Sequence, residues 1–326
     1  MHQTNEKIVL CRRGLTARQV SFSFLLFLPI FLHAAAQEEP VHVEVPVNIT
    51  SFQPNAGQSV TMTFDGLTAI FEPSSPMAVR LQGDIANKTI YLPTDVVQVD
   101  GARLYGRDRL VITGMVNGDV WKVVITEIAK GSVIDEFLCY SPAISPNGRY
   151  VAFVKFYPAH GISSAEDHYM LYDVALGPND NRPTGIHHHP AVVGRVIFPK
   201  GMGNTPGDNV DVGVGPVHRM ASDRFFWNGG STSLVFVDQV ENQYSAVVVS
   251  LKDATPLTQS VQIPLSAVCA AVSGPCSERL SEVRFQTPPG GAIDLTLRGV
   301  NGTPSAESHV SLSHVESSTI SLSVIK

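Results

Sequence analysis

The chain has 326 residues, with 44% hydrophobic and 16% charged side chains and a formal net charge of −6. That balance supports a real hydrophobic core and excludes wholesale disorder. An acidic chain without basic clusters also argues against nucleic acid or an anionic membrane surface as a partner.

The N-terminus has the three-part pattern of a secretory signal. Lys7, Arg12, Arg13 and Arg18 form a basic start, and the run from Phe22 to Leu32 is apolar apart from Ser23 and Pro29. Ala34, Ala35 and Ala36 then offer small residues for cleavage before the polar Gln37-Glu38-Glu39. The run is shorter than the roughly 20 apolar residues of a membrane span. The sequence therefore predicts a signal peptide over 1–36, no membrane span after its removal, and an exported protein, periplasmic or extracellular. Removal would leave 19 basic and 28 acidic residues, a net of −9. Export would permit disulfides. Cys269 and Cys276 bracket a short turn and are the predicted pair, while Cys139 lies in an apolar stretch and reads as a buried thiol.

Residues 37–100 predict an N-terminal β region, a blade or a cap. Val41 to Asn48 alternates apolar and polar, and Ser59–Phe64, Leu67–Phe71 and Met77–Leu81 are further strand candidates. From residue 101 to 326 one unit recurs: an apolar strand, a polar turn, and a second strand. Its copies are Leu110-Val-Ile-Thr with Trp121–Ile128, Tyr150–Phe156 with His168–Val174, and Leu234–Val237 with Tyr244–Leu251. A weaker one joins Val283–Phe285 to Ala292–Leu297. Ile112, Phe153, Phe236 and Phe285 are spaced by 41, 83 and 49 residues, against about 40–50 residues for a propeller blade. The 83 is one blade with a long insertion or two blades, in which case Arg195-Val-Ile-Phe supplies the hidden hairpin. The tail at 309–325 alternates strongly and predicts the last strands, with closure onto the first blade as one way to end the array. These segments are short, rich in Val, Ile, Phe and Tyr, and bounded by Gly, Asn, Asp and Pro. A lone hairpin is barely stable, so such units must stack sheet on sheet. The predicted fold is all-β, a propeller-like array of antiparallel hairpins with about 4–6 blades; the alternative is a β-sandwich.

Ser145-Pro-Asn-Gly-Arg-Tyr-Val-Ala-Phe153 resembles the blade signature of TolB-like (WD40-like) β-propellers, which read Ser-Pro-Asp-Gly-Lys before an apolar strand. Asn147 stands where those repeats carry Asp. Phe226–Phe236, with Trp227 and Gly229-Gly230, is a degenerate second match. The resemblance implies a fold and no single function, because that fold hosts binding scaffolds and enzymes alike.

The most unusual segment is the predicted insert at 177–220. It carries His187-His-His189, Asp208, Asp211 and His218. Long inserts between strands tend to carry function. His187, His189 and His218, with Asp208 or Asp211, form a chemically sensible zinc or copper ligand set. The competing reading is a solvated loop. Asp208 and Asp211 are spaced for weak calcium binding but lack an EF-hand loop. No nucleophile elbow, HExxH, Walker A or dinucleotide fingerprint occurs. No cofactor is required by the sequence. The leading expectation is therefore a non-catalytic exported binding or scaffolding protein, with a protein or small-molecule ligand. The alternative is a metal-assisted hydrolase or lyase using the His/Asp cluster. Three sequons, at Asn48, Asn87 and Asn301, complete the motifs.

Overall fold

The computed structural model describes residues 43–45, 59–74, 76–155, 168–182, 193–199, 217–222, 224–253, 255–272, 280–287, 292–299, 307–313, 315 and 320–325. Met1–Glu39 form one unit and Pro40–Lys326 another. The signal-peptide expectation falls on the first unit and lies outside the described residues.

The second unit is a serial stack of β-sheets. The first sheet holds β1 (Val43–Val45), β2 (Val60–Phe64), β3 (Leu67–Glu72), β4 (Ala78–Gly83) and β5 (Lys88–Tyr91), in that spatial order. Its pairs are antiparallel except β1 with β2. The second sheet holds seven strands in sequential order: β6 (Gln98–Tyr105), β7 (Arg109–Asn117), β8 (Val120–Glu127), β9 (Ser132–Ile144), β10 (Tyr150–Lys155), β11 (Tyr169–Asp173) and β12 (Arg195–Phe198). The third combines β13 (His218–Met220), β14 (Phe226–Trp227), β15 (Ser233–Val240), β16 (Gln243–Ser250) and β17 (Leu257–Gln262). After a short helix, α1 (Leu265–Ala271), the fourth holds β18 (Leu280–Gln286), β19 (Ile293–Gly299), β20 (Glu307–Ser313) and β21 (Ser321–Ile325).

The long strand β9 makes the second sheet serve two layers. Its first part pairs with β8 as far as Cys139, and its second part pairs with β10 from Cys139 to Ile144. Between them Ser141 takes a positive φ of 46°, and the β10 register shifts between Ala152 and Val154. Such irregularities bend a strand and raise its local twist. One lobe is therefore β6–β8 with the start of β9, and the next is the end of β9 with β10–β12.

Side-chain alternation then binds five layers through four cores. Leu110, Ile112 and Val124 pack with the first sheet's Met62, Phe71 and Leu81. Val111, Val123 and Ile125 point the other way, onto Val151, Phe153 and Tyr172 of the next lobe. Ala152, Tyr169 and Leu171 cover Leu234, Phe236 and Val247 of the third sheet. Val235, Val237 and Val248 meet Leu295, Leu297 and Val310 of the fourth, with Ala267, Val268 and Ala271 of α1 in the same core. Each inner layer is apolar on both faces, which a two-layer sandwich does not require. This is the propeller-like arrangement, with all four recurring hairpins in place. Arg195-Val-Ile-Phe is indeed a strand, so the 83-residue spacing contains an outer strand of the second sheet.

The C-terminal strand does not join the first sheet. β21 pairs with β20 and completes the fourth sheet. The outward faces of the end sheets are mostly polar: Thr61, Thr63, Arg80 and Gln82 at one end, Thr296, Arg298, His309 and Ser311 at the other. Polar outer faces suit terminal repeats that end a stack.

Candidate functional site

The segment at 177–220 divides across β12. β11 runs from Tyr169 to Asp173, and antiparallel β12 places Arg195 opposite Leu171 and Phe198 opposite Tyr169. The connection carrying His187 and His189 therefore attaches at the Asp173 end, and the connection carrying Asp208 and Asp211 attaches at the Tyr169 end. Those four residues lie outside the described residues. His218, the fifth predicted site residue, is described and begins β13.

His218 belongs to a buried polar network between the second and third sheets. Asp238, on β15, lies on the central path of an apolar strand, Leu-Val-Phe-Val-Asp. Its Oδ2 is 2.6 Å from His218 Nδ1, and its Oδ1 accepts a hydrogen bond from the Tyr169 hydroxyl at 2.6 Å. A carboxylate only accepts, so His218 Nδ1 carries a proton toward Asp238. Phe198 sits edge-on to the imidazole at 5.3 Å. Asp238 is 2% and Tyr169 0% exposed. His168 precedes Tyr169 and is buried as well; burial first, then the charges of Lys155 and His218, pulls its pKa down to about 4. Lys155 N donates to His168 O across the base of the 156–167 connection. Two connections, 156–167 within the second sheet and 200–216 from the second sheet to the third, thus share one end, and the Asp238 network ties their bases together.

The opposite end of β11 is rich in arginine. Arg182 donates from Nη1 to Asp135 Oδ2 at 2.8 Å, and the Tyr172 hydroxyl donates to the same oxygen at 2.7 Å. Burial, and then Asp135, raises the Tyr172 pKa, so the phenol stays protonated. Arg149 donates to both oxygens of Asp173, at 3.2 and 3.1 Å. Asn181 caps the same corner, accepting from Asp173 N at 3.0 Å and donating to Asp173 O at 2.8 Å. Arg109 reaches the carbonyls of Val174 and Leu176.

Two further polar groups of the second sheet have shifted protonation. Asp100, at a β6 bulge, accepts from Trp121 Nε1, yet burial raises its pKa to about 6 against that bond. Cys139 is fully buried, and burial pushes its thiol well above the ordinary range. Cys269 is disulfide-bonded; Cys276, its predicted partner, lies outside the described residues. No three metal-ligating side chains converge among the described residues. No described helix is long and apolar enough to cross a membrane.

Sequence reasoning missed Asp238, Tyr169, His168 and the arginine corner. One signal was present: an acid inside an otherwise apolar strand, as Asp238 is, must find a partner.

No protein-family model matches the chain, and no curated protein matches it. Among solved structures it is similar to hydrazine synthase of Kuenenia stuttgartiensis, at 11% identity over 88% of this chain and 65% of that one, with a TM-score of 0.39. It is similar to a post-proline cleaving enzyme from Rickettsia typhi at 10% identity, covering 81% and 39%, with a TM-score of 0.41. A protein from Lactobacillus plantarum is similar at 12% identity, covering 82% and 70%, with a TM-score of 0.35. The chain spans less than two thirds of the first two.

Proposed function

We propose that this is an exported binding or scaffolding protein of TolB-like propeller type, non-catalytic, whose ligand face is built from the connections at the Asp238 end. The observation that carries the proposal is the Tyr169–Asp238–His218 network. It fixes the roots of two long connections, 156–167 and 200–216, on a rigid stack. Rigid scaffolds presenting variable loops are a common way to build recognition surfaces. The Ser145–Phe153 signature and the serial hairpins support the TolB-like reading. The basic-apolar-Ala start supports export, as does the disulfide at Cys269, since disulfides persist in oxidising compartments.

Two measurements test this. The N-terminus of the protein made in its own host should begin just after Ala36; an intact N-terminus on a cytosolic chain overturns export. Photo-crosslinking residues placed one at a time in 200–216 should capture one defined partner, and residues on the outward face of the fourth sheet should not. Equal capture from both faces, or from neither, overturns the loop-face proposal.

A second reading, a metal-assisted hydrolase or lyase, is favoured by one observation. Asp238 holds Nδ1 of His218, which is how a carboxylate orients a histidine that ligates metal through Nε2. Asp208 and Asp211, on the connection that attaches at the same end, would supply further ligands; the connection carrying His187 and His189 attaches at the other end of β11 and would have to reach back to join them. Stoichiometric zinc or copper that survives dialysis and falls on His218→Ala supports this reading, and its absence after metal loading rejects it.

A further inference from the structure

The arginine corner carries a second inference, independent of the Asp238 end. Tyr150 on β10 lies directly opposite Asp173 on β11. Arg195 on β12 lies opposite Leu171, which puts it diagonal to Asp173. Diagonal neighbours on one face of a sheet are within reach of long side chains. Arg149, in the turn before β10, spends its fork on both oxygens of Asp173, and Asp173 Oδ1 also accepts from Ala175 N at 3.0 Å. The Asp173 carboxylate, with both oxygens engaged, therefore stands between two guanidinium groups, Arg149 and Arg195.

Arg195 is half-buried, and its guanidinium makes no hydrogen bond or ion pair among the described residues. Burial lowers its pKa despite the nearby Asp173. A guanidinium presents five donors in a planar fork that matches the two oxygens of a carboxylate or the edge of a phosphate. The Tyr150 hydroxyl also has no hydrogen-bond partner among the described residues, although the ring itself is 8% exposed. That ring is held rigid, stacked on Trp227 at 6.2 Å and beneath the Arg149 guanidinium at 4.9 Å. The backbone just before Arg195 is constrained as well. Gly194 before it has a φ of +78°, and a Cβ there would lie 2.7 Å from Leu171 O.

We propose that Arg195, with Arg149 and the Tyr150 hydroxyl, binds the oxyanion of a small ligand, a carboxylate or a phosphate. Arg195 supplies the charged fork. Arg149 adds positive potential while staying paired to Asp173. Tyr150 donates a hydrogen bond from a fixed ring. The site lies at the end of β11 away from Asp238, so its failure leaves the loop-face proposal intact, and the reverse holds too.

The test is isothermal titration of the full chain with inorganic phosphate and, separately, with acetate, at constant ionic strength set by chloride. Saturable binding is expected for at least one. Phosphate alone identifies a phosphoryl ligand, acetate alone a carboxylate, and both a general oxyanion site; each supports the proposal. Arg195→Gln should weaken binding about tenfold or more, the scale of a lost charge-assisted pair. Since its guanidinium makes no hydrogen bond or ion pair among the described residues, this variant should keep the wild-type circular dichroism. Tyr150→Phe should weaken binding several-fold with the stacking kept, and Arg284→Gln, on the fourth sheet, should leave it unchanged. Binding no stronger than to chloride in the wild type overturns the proposal. So does full binding by Arg195→Gln and Tyr150→Phe together.

Discussion

Tyr169 and Asp238 belong to different sheets, and the tyrosine hydroxyl donates to the carboxylate at 2.6 Å with both residues almost wholly buried. The bond couples two layers that share an apolar core and a few further hydrogen bonds, such as Trp227 Nε1 to the Ala143 carbonyl at 3.1 Å. Hydrogen bonds to charged groups contribute about 1.5–3 kcal/mol, and a buried acceptor left short of a donor adds to the loss. Tyr169→Phe should therefore cost about 2 kcal/mol in urea unfolding with an unchanged slope. A loss under about 0.5 kcal/mol would show that the bond does not join the layers energetically.

His168 gives the same interface a pH dependence. Its native pKa of about 4 lies below the ordinary 6.5, mainly because burial disfavours the charged ring. The folded chain thus binds fewer protons than the unfolded chain between those values. The stabilisation is complete above pH 6.5 and is lost as the pH falls toward 4, by about 3 kcal/mol at the acid end. His168→Asn should remove this rise with pH and leave the opposing slope of the remaining groups, measured by denaturant titration at stepped pH. A curve parallel to wild type would contradict the assignment.

Asp100 pulls the other way. Its pKa of about 6, raised by burial and only partly countered by Trp121, means that the fold prefers the protonated acid. Its favourable contribution is present below the ordinary carboxylate range and is lost as the pH rises through about 6. Asp100→Asn should leave stability near pH 4 unchanged and increase it at pH 7–8 by about 2 kcal/mol, allowing for partial solvent screening. Between pH 4 and 6 the His168 and Asp100 slopes oppose each other, so the wild-type curve should be flatter there than that of either variant. A destabilised Asp100→Asn at pH 8 would show that the Trp121 bond outweighs the cost of burying the charge.

Much of the stack was legible in the sequence because each hairpin is local. Leu110 to Ile128 states its two strands and its Asn-Gly-Asp turn within twenty residues, and Ser145–Phe153 states a turn and a strand. What stayed hidden was long-range. Nothing near Tyr140-Ser-Pro-Ala indicates that β9 continues past Pro142 to serve two layers, because the cause is a positive φ at Ser141 and pairing on both edges. The Asp238 network was invisible for the same reason. Its partners lie 20 and 69 residues away, so no local spacing announces them. His218 stands out in the sequence for its neighbours there, whereas its described partners are Asp238 on the adjacent strand β15 and Phe198 of the second sheet.

Cys139 should be chemically silent in the folded protein. It is the described free cysteine, it is fully buried, and burial holds its thiol in the protonated form, which is a poor nucleophile. Alkylation by iodoacetamide at pH 8 should be slow in native buffer and fast in denaturant, read by intact mass. Equal rates in both would show that the layer holding Phe137, Phe153 and Tyr172 opens readily.

The Ser145–Arg149 turn should tolerate substitution poorly. Ser145 Oγ donates to Asn147 Oδ1 at 2.8 Å and accepts from Tyr150 N at 2.9 Å, while Asn147 Oδ1 also accepts from Arg149 N at 3.0 Å. Asn147 N donates to Ser231 Oγ at 3.0 Å, tying the turn to the third sheet. Gly148 closes the turn with a φ of +72°, and a Cβ there would lie 2.5 Å from Leu104 O. Strain at positive φ and a backbone clash act together, so Gly148→Ala should cost about 2 kcal/mol or more. Gly118 is the control, with nothing near its Cβ position. Gly118→Ala should cost less than half as much, and equal losses at the two sites would remove the close approach to Leu104 as the cause.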